Sequence, residues 1–328
     1  MGRTSYDERA VAALKKRTLV STLLIFIAMP LTIAASILWL DSSKYMIISF
    51  VIVIYTIIPF FMIFEGRKPK AREIVLLSVI TAITSAAQIF FHVTIPIQIE
   101  TALVVVAGIA LGPEAGFMVG SLSRFICNFY LGQGPWTPWQ MFCYGIVGFL
   151  AGLTFSKAIV KNRFEETENA VQGKVIKEEK LSRRFRIIMG PVLSIFACEA
   201  LAYVTYLFVP AKDEIFWGWR VYFAGAIGII LGALLQRKRL PIDNITMSVF
   251  TLFTTVIIYG GIMNIGAMFM SMGIPGSDIS FNTMRTLYIS GLPYDLYHGI
   301  TAAIAIFIIG QPMITKIERI KIKYGIYR

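Results

Sequence analysis

Two short groups of polar residues inside apolar runs are the part of this sequence that could do chemistry. Arg124 and Asn128 lie in one apolar run, and Asp295 and His298 lie in another near the C-terminus. Asp295 and His298 are three residues apart, which places them on one face of a helix. A charge within a bilayer is costly unless it is paired or functional. The cluster therefore indicates either groups that orient a ligand or a structural ion pair, and similar depths would permit an Arg124–Asp295 pair.

An aromatic loop follows the run that contains Arg124. The loop reads GQGPWTPW, and a proline directly precedes each of its tryptophans, Trp136 and Trp139. Proline and glycine restrict the loop backbone, and tryptophan suits either stacking on a ring or the membrane–water interface. A rigid aromatic loop above a buried charge predicts the mouth of a ligand site. The alternative, two interfacial tryptophans, stays open.

The composition is that of a membrane protein. Of the 328 residues, 56% are hydrophobic and 15% are charged, whereas soluble chains carry about 25% charged residues. The mean hydropathy is +0.70, and several apolar runs approach the ~20 residues that a helix needs to cross a bilayer. The runs are continuous rather than alternating, which excludes a transmembrane β-barrel. We expect an all-α, polytopic helical bundle.

The charge pattern favours membrane topology over nucleic-acid binding. The net charge is +12, but the basic residues cluster in short segments between apolar runs, where the positive-inside rule places them. The three cysteines lie in apolar runs without metal-ligand spacing, and no P-loop or HExxH motif is present. The sequence therefore predicts no metal, no cofactor and no catalytic residues. A membrane-embedded enzyme acting on a lipid or isoprenoid remains an alternative function.

Alternating basic and non-basic loops predict ten crossings with both termini in the cytoplasm. The predicted crossings are Thr18–Leu40, Tyr45–Phe64, Glu73–Phe91, Ile99–Gly112, Ala115–Leu131, Trp139–Ser156, Ile187–Val209, Trp219–Leu235, Asp243–Met270 and Thr286–Ile314. They divide the chain into an N-terminal hairpin (1–66), core helices 1–4 (67–156), a charged cytoplasmic loop (157–186), an inserted hairpin (187–242), and core helices 5–6 with a basic tail (243–328).

Four sequence motifs resemble those of the substrate-binding (S) components of energy-coupling factor (ECF) vitamin transporters. The first is the small-residue spacing Ala82-x-x-x-Ala86, similar to the motif by which S components dock on their coupling subunit. The others are the turn LGPEAGFMVG, the loop segment GQGPWTPWQMFCYGIVGFLAG and the C-terminal segment GLPYDLYHGI. The two hairpins at 1–66 and 187–242 are additions to the six-helix core of that family.

The resemblance implies a protein of the bacterial plasma membrane that binds a vitamin or precursor from outside and is not an enzyme. It also implies separate partner chains, a transmembrane coupling subunit and two ATPases, with Ala82 and Ala86 at the docking face. The residues themselves suggest a large or planar ring, cobalamin-type first, with a queuosine precursor or a flavin nearly as favoured. The expected ligand contacts are Arg124, Asn128, Trp136, Trp139, Asp295 and His298. A membrane sensor or scaffold that does not transport is a further alternative.

Overall fold

The computed structural model describes the helical core of the chain. The described ranges are 71–95, 97–155, 197–198, 200–208, 240–271 and 281–326, with isolated positions between residues 20 and 58 and between 224 and 231. The predicted charged loop (157–186) lies outside the described residues. So do most of both predicted hairpins and the segment 272–280. The predicted domain boundaries and the count of ten crossings therefore remain predictions.

Seven α-helices and one π-helical segment make up this core. They are α1 (Ala71–Thr94), α2 (Ile99–Leu111), α3 (Pro113–Leu131), α4 (Thr137–Thr154), α5 (Asn244–Phe253), the π-helical segment Thr254–Tyr259, α6 (Gly260–Ser271) and α7 (Phe281–Tyr324). In the described part of the chain the only β-pairing is an isolated bridge between Phe155 and Leu240. The all-α prediction is confirmed.

Within the described residues, three helical runs are long and apolar enough to cross a membrane. They are Ala71–Thr94, Asn244–Met268 and Asn282–Tyr324, and each contains or overlaps a predicted crossing. The last run continues through the segment predicted as a basic tail, because Ile314 and Ile317 are buried there and extend the helix contact. At 44 residues, α7 is about 66 Å long, well beyond the ~30 Å hydrocarbon thickness.

The short helix α2 is the centre of the bundle. Its sequence IETALVVVAGIAL is apolar all round, and every residue except Ile99 is buried. Helices α1, α3, α4 and α7 pack around it. At 13 residues, α2 is about 20 Å long, so it cannot cross a bilayer by itself. One of its ends must therefore lie within the membrane interior.

Glycines allow the tight turn between α2 and α3 and the close packing of α3 on α4. Gly112 has a φ of +107°, a conformation that favours glycine, and Pro113 directly starts α3. Gly116 of α3 and Gly148 of α4 then meet backbone to backbone, because neither carries a side chain. Small residues at helix crossings permit this close approach in membranes.

Two ends of the bundle differ in charge. At the basic end, Lys321 Nζ donates to Ala110 O at 2.6 Å and Arg72 Nη1 donates to Tyr324 O at 3.4 Å. The opposite end, which we call the mouth end, comprises the loop 132–136 between α3 and α4. Since basic residues favour the cytoplasmic side, the mouth end is expected to face outside.

We expect Gly148→Ala to destabilise the bundle. A Cβ at this position would lie 2.3 Å from the Gly116 carbonyl oxygen, so backbone rather than a flexible side chain would have to move. Overpacking of this kind costs about 1–3 kcal/mol. The measurement is the thermal unfolding midpoint in detergent. Gly310→Ala is the control, because its Cβ would meet only side-chain ends of Ile306 and Met247; equal midpoints would contradict the packing described.

Candidate ligand-binding site

A buried ion pair joins α2 to α3 near the mouth end. Glu100 lies in the first turn of α2 and is fully buried, and Arg124 of α3 is 5% exposed. Arg124 Nη2 donates to Glu100 Oε2, and Ser123 Oγ donates to Glu100 Oε1 at 2.9 Å. Arg124 Nη2 also donates to the hydroxyl of Tyr144 in α4 at 2.7 Å. One buried arginine thus connects three helices.

Arg124 pairs with Glu100 and not with Asp295, the pair that similar depths would have permitted. The depth along a helix does not determine which way a side chain points. Helix α2 begins at Ile99 and carries Glu100 into the interior. The positive N-terminal end of α2 also favours a carboxylate at that position.

His298 lies in a second polar group beside the ion pair. Its Nε2 is 2.8 Å from Thr101 Oγ1, and its ring centroid is 4.6 Å from that of Tyr259. The Tyr144 ring lies between the two groups, 4.3 Å from the Arg124 guanidinium carbon and 6.1 Å from the His298 ring. His298 Nδ1 and Arg124 Nε have no hydrogen-bond partner among the described residues. Arg124 Nε is a hydrogen-bond donor, and His298 Nδ1 is a donor or an acceptor depending on the tautomer, so a ligand could satisfy both.

A π-helical segment positions Tyr259 in this group. The segment Thr254–Tyr259 interrupts the helical run from Asn244 to Ser271. Single π-helical turns often occur at functional sites, because the extra residue changes the direction of the side chains around it. Here Tyr259 is 4% exposed and packs edge-on against Tyr144, with ring centroids 5.0 Å apart.

Asp295 pairs with an amide from α6. Its Oδ2 accepts a hydrogen bond from Asn264 Nδ2 at 3.1 Å, and 7% of Asp295 is exposed. Gly260 makes room for the carboxyl group, since a Cβ there would lie 2.6 Å from the Asp295 carboxyl carbon. Asp295 and His298 share one face of α7, as their spacing predicted.

These side chains form a layer at similar depth, which we call the polar layer. It comprises Glu100, Thr101, Arg124, Tyr144, Tyr259, Asn264, Asp295 and His298. Arg124, Tyr144 and Asn264 each lie seven residues from the mouth end of their helix, which corresponds to about 10 Å. A ligand that enters from the mouth end would therefore reach polar groups after about two helical turns.

Asn128 stabilises the loop at the mouth end and is not part of the polar layer. Its amide nitrogen donates to Thr137 Oγ1 at 3.1 Å and to Gln140 Oε1 at 2.9 Å. Thr137 Oγ1 in turn accepts from the Gly134 backbone N–H at 3.1 Å. The loop 132–136 is therefore tied to α3 and α4 by side chains that are mostly buried.

The two tryptophans predicted to contact the ligand lie in different environments. Trp136 is 41% exposed in the loop, and its Nε1 donates to Gly132 O at 3.3 Å. Trp139 points into the bundle and packs against α6, where Gly266 leaves space for its ring. Of the two tryptophans, Trp136 is the more exposed at the mouth end, whereas Trp139 is partly buried.

The structure thus brings Arg124 and His298 together around Tyr144, with Asp295 on the same face of α7 as His298. Sequence reasoning missed Thr101 and Tyr144 and left Glu100 at the edge of a loop. An acid within an apolar run and a tyrosine at the depth of Arg124 were the available signals. Across the described residues, no group of histidine, cysteine and acidic side chains has metal-binding geometry.

Residues 68–177, about a third of the chain, match the family described as ECF-type riboflavin transporter, S component. The match covers α1 to α4 and agrees with the resemblance predicted from the motifs. Proteins of this family bind transport substrates and are not enzymes. No curated protein and no solved structure matches the chain.

Removing one charge of the Glu100–Arg124 pair should lower the free energy of unfolding more than removing both charges. We expect Glu100→Gln or Arg124→Gln to cost about 3–5 kcal/mol, because each leaves an unpaired buried charge. The variant with both substitutions should lose less stability than the sum of the losses in the two single variants. Unfolding in detergent measures these losses.

Glu318→Gln is the control for this cycle. Glu318 pairs with Lys321 in a partly exposed position at the basic end, where loss of a pair costs about 1 kcal/mol or less. Additive effects of Glu100→Gln and Arg124→Gln would show that the two charges do not act as a pair.

Proposed function

From the S-component domain at residues 68–177, we propose that this chain is the substrate-binding subunit of an ATP-driven ECF importer. It captures a vitamin or vitamin precursor from outside the cell. It resides in the bacterial plasma membrane with both termini in the cytoplasm. A separate coupling subunit and two ATPase subunits complete the transporter.

One observation carries the proposal: buried polar atoms without partners lie below an aromatic mouth. Arg124 Nε and His298 Nδ1 have no partner in the described core, about two helical turns from the exposed ring of Trp136. Small-molecule sites are mostly apolar, with a few polar groups that orient the ligand. The polar layer has this composition, since the Tyr144 ring packs against Arg124 and the Tyr259 ring packs against His298.

We propose a flavin-type ring as the first ligand to test. The matched family is described as a riboflavin transporter component, and a flat ring suits stacking on Trp136. The cobalamin-type ligand favoured by the sequence remains the second candidate. Arg124, Asp295 and His298 would orient the ligand, Trp136 and Trp139 would contact its ring from the mouth end, and Asn128 would hold the loop.

The proposed docking face lies on α1. Ser78, Ala82 and Ala86 recur every four residues, and all three are exposed. Large apolar side chains flank them, among which Val79 and Ile83 are 47% and 48% exposed. A stripe of small residues between such side chains permits close approach of another helix. We propose that the coupling subunit contacts this stripe.

The ligand is tested by mass spectrometry of the gently purified chain, followed by riboflavin titration. We expect a retained vitamin-like ring and quenching of riboflavin fluorescence on binding. Trp136→Ala should weaken riboflavin binding, because stacked aromatic rings contribute about 0.5–1.5 kcal/mol beyond their buried area.

Phe307→Ala is the matched control for Trp136→Ala. Phe307 is also an exposed aromatic, 49% accessible, but it lies on α7 far from the mouth end. Unchanged riboflavin affinity in Trp136→Ala would assign Trp136 to the membrane interface. Retention of lipid alone, with no binding of riboflavin or cobalamin, would contradict the proposed function.

The docking face is tested with Ala82→Trp and Ala86→Trp. We expect both variants to lose co-purification with the coupling subunit, because a large ring prevents close helix approach. Riboflavin binding should stay within about twofold, since both residues point away from the polar layer. Ile304→Trp, on an exposed face of α7, is the control. Normal assembly of both alanine variants would rule out this face.

A further inference from the structure

The carboxylate of Asp295 has no cationic partner within the described core. Among the described residues it accepts one hydrogen bond, from the neutral amide of Asn264 at 3.1 Å. Arg124, the buried cation of the polar layer, pairs with Glu100 instead. Because Asp295 is 93% buried, bulk water replaces little of the missing partner. An ionisable side chain in this situation within a membrane indicates a function.

The charges of the polar layer support this interpretation. Glu100 and Arg124 cancel each other, which leaves the Asp295 carboxylate as the excess charge of the layer. His298, one turn further along α7, is only 1% exposed, and its Nδ1 has no hydrogen-bond partner among the described residues. The layer therefore attracts hydrogen-bond donors and repels anions.

The side chains of Asp295 and Asn264 pack directly against the backbone at two glycines, where any larger residue would clash with them. A Cβ at Gly260 would lie 2.6 Å from the Asp295 carboxyl carbon, and a Cβ at Gly291 would lie 2.7 Å from Asn264 Oδ1. Tyr288 OH donates to Gly261 O at 2.9 Å and fixes α7 against α6 beside the pair. Asn264 thus orients the carboxylate and leaves Asp295 Oδ1 without a hydrogen-bond partner among the described residues.

We propose that Asp295, oriented by Asn264, accepts a hydrogen bond from an N–H group of the bound ligand. The site then selects an uncharged or cationic ring that presents an N–H and discriminates against the same ring with that N–H blocked. This inference rests on the proposed function. In riboflavin, the group concerned is the imide N–H of the isoalloxazine ring.

The test compares riboflavin with 3-methylriboflavin, in which a methyl group replaces the imide hydrogen. The wild-type chain should bind the methyl analogue at least about tenfold more weakly, since a hydrogen bond to a charged group is lost. Asp295→Asn should weaken riboflavin binding about tenfold, because charge-assisted hydrogen bonds are stronger than neutral ones. The same variant should bind 3-methylriboflavin within about twofold of wild type.

Asp243→Asn is the matched control, because Asp243 caps α5 at the basic end and asparagine caps helices equally well. Its riboflavin affinity should not change. Equal binding of both rings by the wild type, or equal weakening of both by Asp295→Asn, would overturn this inference and leave the proposed function intact. Absence of any riboflavin binding would instead overturn the flavin ligand and, with it, this role of Asp295.

Discussion

The rest of the described structure depends on the buried ion pair between Glu100 and Arg124. Removing two charges from water is expensive, and their attraction offsets this only when their other hydrogen-bonding atoms are also satisfied. Ser123 of α3 donates to Glu100, and the hydroxyl of Tyr144 in α4 accepts from Arg124, whereas Arg124 Nε has no partner among the described residues. Because a hydrogen bond joins atoms only about 3 Å apart, the pair determines how far α2, α3 and α4 can slide past one another.

The short helix α2 explains why polar residues gather at this depth. A helix that begins inside the bundle has backbone N–H groups without intrahelical partners, and lipid offers none. Gln88 of α1 meets one of these needs, since its Oε1 accepts from the Glu100 backbone N–H at 3.1 Å. Gln88 Nε2 also donates to Gln98 just before the helix, at 3.1 Å. Polar residues are therefore needed at this depth to satisfy the backbone groups at the buried start of α2.

Hydropathy and turn residues predicted most of the core fold. Continuous apolar runs located the helices, and Gly112–Pro113 marked the turn between α2 and α3. The depth of Arg124 and the shared face of Asp295 and His298 also followed from helical periodicity. Hydropathy gives only position along the membrane normal, so it could not choose Glu100 over Asp295 as the partner of Arg124. Nor could it reveal the π-helical segment, because a change of hydrogen-bond register leaves composition unchanged.

The sequence left open whether the buried charges orient a ligand or hold helices together, and the structure shows the second role for Glu100 and Arg124. Glu100 and Arg124 hold α2, α3 and α4, and they leave little net charge for a ligand. Asn264, Asp295 and His298 come from α6 and α7, beyond the segment that matches the S-component family. If Asp295 contacts the ligand as proposed, specificity is decided on α6 and α7, while α1 to α4 supply a scaffold. Relatives that share the matched segment could then differ in substrate through a few residues on those two helices.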